Sequence, residues 1–525
     1  MKVYIFLLFL LFCMSTKCQP VIEWQKTIGG NATEQLICCD ISDNTYLFGG
    51  ASYSNASGNK TDSSRGQSDF WLIKLDENGN LIWDKTYGGN KEDDLFSVRK
   101  TSDGGYIIGG RSDSDSSGEK KSHSRGVMDY WIIKIDNNGS EQWQKTFGGL
   151  DDDELKIIFE TNDHGYFIGG TSASNISGEK SMNSRGGSDI WIIKLDSTGS
   201  ILWQKTIGGS DYDGLSSAFQ TADSGFFIGS TSMSNLSGDK TQNNFGLSDY
   251  WIMKLNSIGN IEWQKTIGGN SIDELASACQ TNDGGYMIGG SSNSGISGDK
   301  LEVCRGLEDY WLIKLDNLGN IQWQRTIGGA NDDRLWTVNI NHYNEYILIG
   351  QSDSNTSGDK TDDSNGGDDY WILKLSEGGA IVWQKSFGGS GTDDGISMGI
   401  TNNENYIFAG TSSSDSSGNK TENSHGLSDF WILKTGIDTG IHQQQTEFSV
   451  DIYPNPCSNY LNIILYNNSD HEFNFSDMIG RNVFKFTSET TYNFINLNQF
   501  SSGVYFLTIS EGTRRKNTFK VIISK

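Results

Sequence analysis

Tryptophan returns every 60 residues through most of this 525-residue chain, at Trp71, Trp131, Trp191, Trp251, Trp311, Trp371 and Trp431. A second series, Trp24, Trp83, Trp143, Trp203, Trp263, Trp323 and Trp383, keeps the same interval after one step of 59. Fourteen of the 15 tryptophans therefore belong to one unit written seven times. A fixed period of this size is the signature of a solenoid or a propeller, whose units bury their apolar faces only against one another.

The unit is legible on residues 95–149. An apolar-polar run over 95–101, the turn Ser102-Asp103-Gly104 and a second run over 105–112 predict a hairpin. A polar loop rich in Ser, Gly and Asp covers 113–129. A second hairpin follows, with runs over 130–136 and 140–147 around Asn137-Asn138-Gly139, and Gly148-Gly149 ends the unit. Four short strands per unit, here lettered a to d, match one propeller blade. The c strand Tyr130-Trp131-Ile132-Ile133 is apolar on both alternating faces, as expected of a sheet packed between two others.

The chain opens on a d-type strand over 21–28 and closes its last unit on a c-type strand over 430–434, with seven strands of each type. The orphan d strand can complete the orphan a, b and c strands and close a ring without a free edge, an offset that an open solenoid has no use for. The expected fold is all-β: a seven-bladed β-propeller over 19–436, closed by the N-terminal strand. Trp-Gln-Lys-Thr-Ile-Gly-Gly, the Thr-x-Asp-Gly-Gly-Tyr hairpin of 281–286 and Asp-Tyr-Trp-(Ile/Leu)-Ile-Lys-Leu-Asp resemble the long propeller repeats of secreted bacterial proteins. That resemblance implies a fold and no particular activity.

Residues 1–18 combine Lys2, an apolar run over 3–14 and a short polar end, the pattern of a secretory signal peptide, with cleavage expected after Cys18. The run is too short to span a bilayer, so no transmembrane segment is expected. Lys17 argues against a lipid-bearing Cys18.

The C-terminal end changes character. The three prolines are Pro20, Pro454 and Pro456, so none interrupts the repeats, and Tyr453-Pro454-Asn455-Pro456 opens a new module over 448–525 after a linker at 437–447. Asp477-Met478-Ile479-Gly480-Arg481 and Gly503-Val504-Tyr505-Phe506-Leu507 follow. Those motifs, in that order, resemble the type A C-terminal sorting domain of the type IX secretion system, a small immunoglobulin-like β-sandwich. The resemblance implies passage through the periplasm of a Gram-negative bacterium, recognition by the secretion machinery, and removal by a sortase-like peptidase that often couples the new end to an anionic lipopolysaccharide. The mature protein would be secreted or held at the cell surface. The linker near 435–447 is the expected cut.

The formal charge is −25, and residues 448–525 contribute seven basic and six acidic side chains, so the excess acid sits on the repeats. Nucleic acid is disfavoured as a partner, because phosphate contacts need a basic surface. Cys38, Cys39, Cys279, Cys304 and Cys457 remain after signal cleavage, an odd set without a framework, although Cys279 and Cys304 share a repeat and could pair. Six scattered histidines lack metal-ligand spacing, and no nucleophile motif or phosphate loop stands out, so a non-enzymatic role is expected and no cofactor is required. An exported enzyme, for example a polysaccharide-acting one using the channel mouth, is the alternative to a binding module for a glycan or surface protein.

The long b–c loops and the d–a connections share one end of the ring, the expected binding face. An acidic residue stands four after the second Gly of each Gly-Gly pair: Glu34, Asp93, Asp153, Asp213, Asp273, Asp333 and Asp393. Their first reading is structural, as turn caps or partners of the loop lysines Lys60, Lys120, Lys180, Lys240, Lys300, Lys360 and Lys420; the second is a ligand surface. Asp113-Ser114-Asp115 and Asp353-Ser354-Asn355 have spacing that folds oxygens around calcium, but Ser124 and Ser364 stand where an EF-hand places Glu. Trp336 is the one tryptophan outside both series, and serves either as a sugar or protein contact or as packing near the ring closure.

Overall fold

The computed structural model describes residues 19–437 except 43, and 450–525 except 454–456, 466–470, 479, 489 and 512–514. Two compact units result, Met1–Ile437 and Asp438–Lys525. The signal peptide and the linker beyond residue 437 lie outside the described residues.

Among the described residues every regular element is a β-strand. The second unit of the ring shows the pattern: Asp93–Lys100, Tyr106–Ser112, Asp129–Ile135 and Glu141–Phe147 pair antiparallel in that order. Strands of the first unit form seven such four-stranded sheets. The last is completed by Pro20–Ile28, which pairs antiparallel with Asp429–Ile437 in register Trp24↔Lys434 to Ile28↔Phe430. The offset read from the sequence thus closes the ring and leaves no unpaired c strand.

Sheets stack through seven apolar clusters, one between each neighbouring pair. One of them joins Leu36, Phe48 and Trp71 of the first blade to Ile407, Phe430 and Ile432 of the last. The c-strand tryptophans from Trp71 to Trp431 are wholly buried, each between two blades. Tyr130 meets Trp191 of the next blade with ring centroids 4.9 Å apart, and Tyr370 meets Trp431 likewise. Aromatic pairs at this separation contribute beyond the area they bury.

The C-terminal unit is a small sandwich. A three-stranded sheet (Val450–Tyr453, Tyr460–Leu465, Tyr492–Asn496) and a four-stranded one (Asn482–Ser488, His471–Asp477, Gly503–Glu511, Arg515–Ile523) share a core of Leu461, Ile463, Phe473, Phe475, Leu507 and Val521.

Candidate functional site

The seven acids of the d–a connections do not form an exposed carboxylate face. Glu34, Asp93, Asp153, Asp213, Asp273, Asp333 and Asp393 are all fully buried. Each accepts the N–H of the second glycine of its Gly-Gly pair at 2.6–2.8 Å, as Asp93 does from Gly89. Most also accept a loop serine hydroxyl, as from Ser114 to Asp93 at 2.8 Å. The physical reason is local: where the chain leaves strand d for strand a, that glycine N–H has no ladder partner, and a buried donor must find one. In this structure the seven carboxylates cap the d–a turns and are not exposed on the ring's surface.

The loop lysines are buried as well, and four of the seven contact a serine at the end of strand b. Lys240 Nζ donates to Ser232 Oγ at 2.7 Å, and Ser232 donates in turn to Asp213. Lys180, Lys360 and Lys420 make the same serine contact at 2.6–2.7 Å. Six of the seven ammonium groups lie 4.9–6.0 Å from the centroid of their blade's c-strand tryptophan, a cation–π geometry. Burial pulls Lys120 and Lys180 down to about 8.

The calcium candidates turn back on their own loops. Asp113 accepts the backbone N–H of Glu92 at 2.8 Å and Asp353 that of Asp332 at 3.0 Å. Asp115 lies beside His123, and the Asn355 carbonyl accepts the Ser357 hydroxyl. Among the described residues no three His, Cys, Asp or Glu side chains converge on one point. Cys279 and Cys304 are both free thiols, and Cys304 donates to the Ser292 carbonyl at 2.9 Å.

Trp336 does sit at a site. A cavity of about 750 Å³ runs along the ring axis, walled by the a strands of all seven blades. Every a strand carries a β-bulge at the same place, as between Leu95 and Ser97. Around the ring the bulged residue is Ile37, Phe96, Lys156, Ser216, Ala276, Trp336 and Ile396, seven positions filled by six residue types, all on the cavity wall. A bulge leaves its extra residue out of the ladder and re-aims its side chain. The position just before it is Leu in six of the seven units, whereas the bulged position changes from unit to unit, a variation whose meaning is invisible without knowing that the bulge exists.

The wall is uneven. Trp336 is 44% exposed and its Nε1 donates to Gln351 Oε1 at 2.8 Å, which fixes the indole plane. At and just after their bulges the fourth and fifth blades present small groups, Ser216, Ser217, Ala276 and Ser277, with Leu215, Phe219 and Leu275 also on the wall. On the second and third blades Phe96 is capped by Lys156 at 4.0 Å and by Arg111, which bridges Asp94 and Glu154 at 2.9 and 2.7 Å. Burial raises Glu154, but the charges of Lys156 and Arg111 outweigh it and hold the carboxyl below its ordinary value. One sector is therefore occupied by its own ion pairs, and the Trp336 sector is open.

In the C-terminal unit the motif residues build turns and core. Asp477 accepts the Arg481 N–H at 3.0 Å and its Nε at 2.8 Å across a turn where Gly480 takes φ +82°, a conformation that favours glycine. Tyr505, two residues after Gly503 at the strand start, stacks on Phe475 at 5.2 Å and donates to the Ser501 carbonyl. Tyr453 ends the first strand, and Pro454, Asn455 and Pro456 lie outside the described residues.

Among characterised proteins, residues 32% of the chain's length in extent are 26% identical, over 179 positions, to regulatory protein FlaEY of Caulobacter vibrioides, of which they cover 19%. Among solved structures, PorZ, a surface component of the type IX secretion system of Porphyromonas gingivalis, aligns with 96% of this chain and 61% of its own at 11% identity and a TM-score of 0.41. Puromycin hydrolase aligns with 85% of this chain and 61% of its own, at 10% identity and a TM-score of 0.45. The chain thus spans less than two thirds of each of these proteins. Residues 451–524 match the family described as the secretion system C-terminal sorting domain, and the C-terminal unit of this chain is a domain of that kind.

Proposed function

We propose that this chain is an exported surface propeller that binds a carbohydrate at the mouth of its central channel, against Trp336. The sorting domain supports export through the type IX system, with that machinery and its peptidase as partners. The observation that carries the binding reading is the Trp336 sector of a channel wall that varies from blade to blade at its bulges. A fixed, half-exposed indole stands beside small side chains and serine hydroxyls in a cavity of about 750 Å³. An apolar wall with a few placed hydroxyls suits a ligand with a flat apolar face and polar edges, as a pyranose has. The alternative, an exported enzyme, would rest on Asp368 and Asp394 at the sixth-to-seventh blade interface, where burial, then the Asp368 charge, pushes Asp394 up to about 6.

A glycan array probed with the full chain and with Trp336→Ala is the test. The expected result is a defined glycan whose affinity falls at least about tenfold in the variant, the loss of one aromatic contact. A glycan bound equally by both forms would place the site elsewhere, and conversion of the glycan, lost in Asp394→Asn, would favour the enzyme.

A further inference from the structure

The d–a acids are one half of a second, unabsorbed pattern. Each c strand begins with another fully buried aspartate: Asp69, Asp129, Asp189, Asp249, Asp309, Asp369 and Asp429. Each is brought beside the d–a acid of the following blade by the backbone, since the N–H of that acid donates to the carbonyl just before the c-strand aspartate. Asp93 to Ser68, Asp273 to Ser248 and Glu34 to Ser428 show it at 2.8–2.9 Å, and the other interfaces repeat it. Both side chains also lie on one Gly-Gly pair. The second glycine donates to the d–a acid, and the first leaves room for the aspartate: a Cβ on Gly268 would sit 2.1 Å from Asp249 Oδ1.

One oxygen of each carboxyl is spent on these backbone donors, as Asp249 Oδ2 is on the Phe245 N–H. The other is not. In four interfaces, Asp69/Asp93, Asp129/Asp153, Asp249/Asp273 and Asp369/Asp393, both Oδ1 atoms are buried outside hydrogen-bonding geometry, with the Ser112 and Ser172 hydroxyls acting on Asp93 and Asp153 from nearby. In the remaining three one oxygen is in that condition, on Asp189, Asp333 and Asp429. Two carboxylates cannot both stay ionised side by side out of water without a compensating donor.

We propose that each blade interface is a proton-binding site in which the two carboxyls hold one proton, between two free oxygens in the four doubly unpaired interfaces and on the free oxygen of Asp189, Asp333 or Asp429 in the other three, seven protons around the ring. With one buried loop lysine per blade and one proton per pair, the ring of 14 acids comes close to neutral. The directions agree: burial, with the neighbouring acid adding to it, raises Asp69, Asp129, Asp189, Asp249 and Asp369 to about 6. The charged groups facing the pairs are the loop lysines on either side, Arg65, Arg125, Arg185 and Arg305 where present, and His425 beside Asp429. At Asp249/Asp273 the arginine position is Phe245, which leaves Lys240 and Lys300 as the cations there. A folded-state value above the ordinary one means that the native state binds more protons than the unfolded chain between about pH 4 and 6. Stability is then fully present below that window and is lost as pH rises through about 6. The lysines depressed to about 8 act with the opposite slope, above pH 8.

Thermal melting of the full chain, wild type and Asp249→Asn, tests this between pH 5 and 7.5. The wild-type Tm should fall on the order of 10 °C across that range. In Asp249→Asn the amide donates permanently to Asp273 in place of the shared proton, so the variant should match wild type at pH 5 and exceed it at pH 7.5. An infrared band of protonated carboxyl in deuterated buffer at pH 5, lost by pH 7.5 and smaller in the variant, gives an independent readout that needs no folding comparison. A flat wild-type profile without that band overturns the proposal. So does a variant less stable at pH 7.5, and a Tm lowered by chelator and restored by calcium would assign the pairs to a cation instead.

Discussion

Seven copies of one position let the chain act as its own mutant series. The residue before the c-strand tryptophan is Phe70, Tyr130, Ile190, Tyr250, Tyr310, Tyr370 and Phe430. Where it is Tyr, the hydroxyl donates to the carbonyl of the next blade's tryptophan, from Tyr250 to Trp311 at 3.2 Å. Where it is Phe, the ring packs almost unchanged: Phe70 meets Trp131 at 4.8 Å and 37°, Tyr250 meets Trp311 at 5.1 Å and 37°. Tyr250→Phe should therefore remove one interblade hydrogen bond without a cavity, for a loss of about 1 kcal/mol in urea denaturation. A loss of 3 kcal/mol or more, the scale of a core truncation, would mean that the rings do not superpose as described. At this scale the repeat told which side chains the fold requires and not where they point. Periodicity marked Glu34 to Asp393 as obligatory, yet only the Gly-Gly N–H that each one satisfies shows them to be buried caps. The c-strand aspartates went unremarked because Asp before an aromatic residue reads as a strand edge.

Strands themselves were legible, because two hairpins with Gly-containing turns and an all-apolar c strand leave few alternatives. The predicted a, b, c and d runs differ from the observed strands by at most two residues at their ends. The buried c-strand lysines also find their reason here: Lys134 pairs with Asp103 of the a–b turn at 2.9 Å, and hydrogen bonds from Thr101 and Lys134, opposing burial, hold that carboxyl at about 2. The a-strand bulge was not legible, since a register shift has no composition of its own. It is that shift which turns Trp336 and six unlike residues onto the cavity wall. Closure was legible from strand counting alone, and it makes an element-level prediction. Deleting residues 19–28 strips the partner from Asp429–Ile437 and uncovers part of the cluster that holds Ile28 and Phe430. The shortened protein should lose its single cooperative melting transition and aggregate, because a bare apolar edge templates further pairing. A monomer that melts as sharply and as high as the full chain would show that the ring does not depend on that strand.

For the whole molecule, the two units are separable in the terms that govern folding. The seven interblade clusters draw only on residues 22–433, and the sandwich core only on residues 452–523. Neither core borrows an apolar side chain from the other, so each unit buries its own surface. The sorting motif residues serve this second core: Tyr505 packs on Phe475, and Asp477 and Gly480 shape a turn of the sandwich. Their fit to a turn and a core explains why a short pattern could be recognised from sequence, whereas a channel wall built from seven bulged residues of six types could not. Removing residues 448–525 should therefore leave the propeller's melting temperature unchanged within about 2 °C, because the ring's described apolar clusters draw on none of those residues. The same truncation should hold the protein in the periplasm, measured by fractionation and by protease access to intact cells. A truncated chain that still reached the surface would sever export from the C-terminal unit, and one that melted far below the full chain would show that the two cores are coupled.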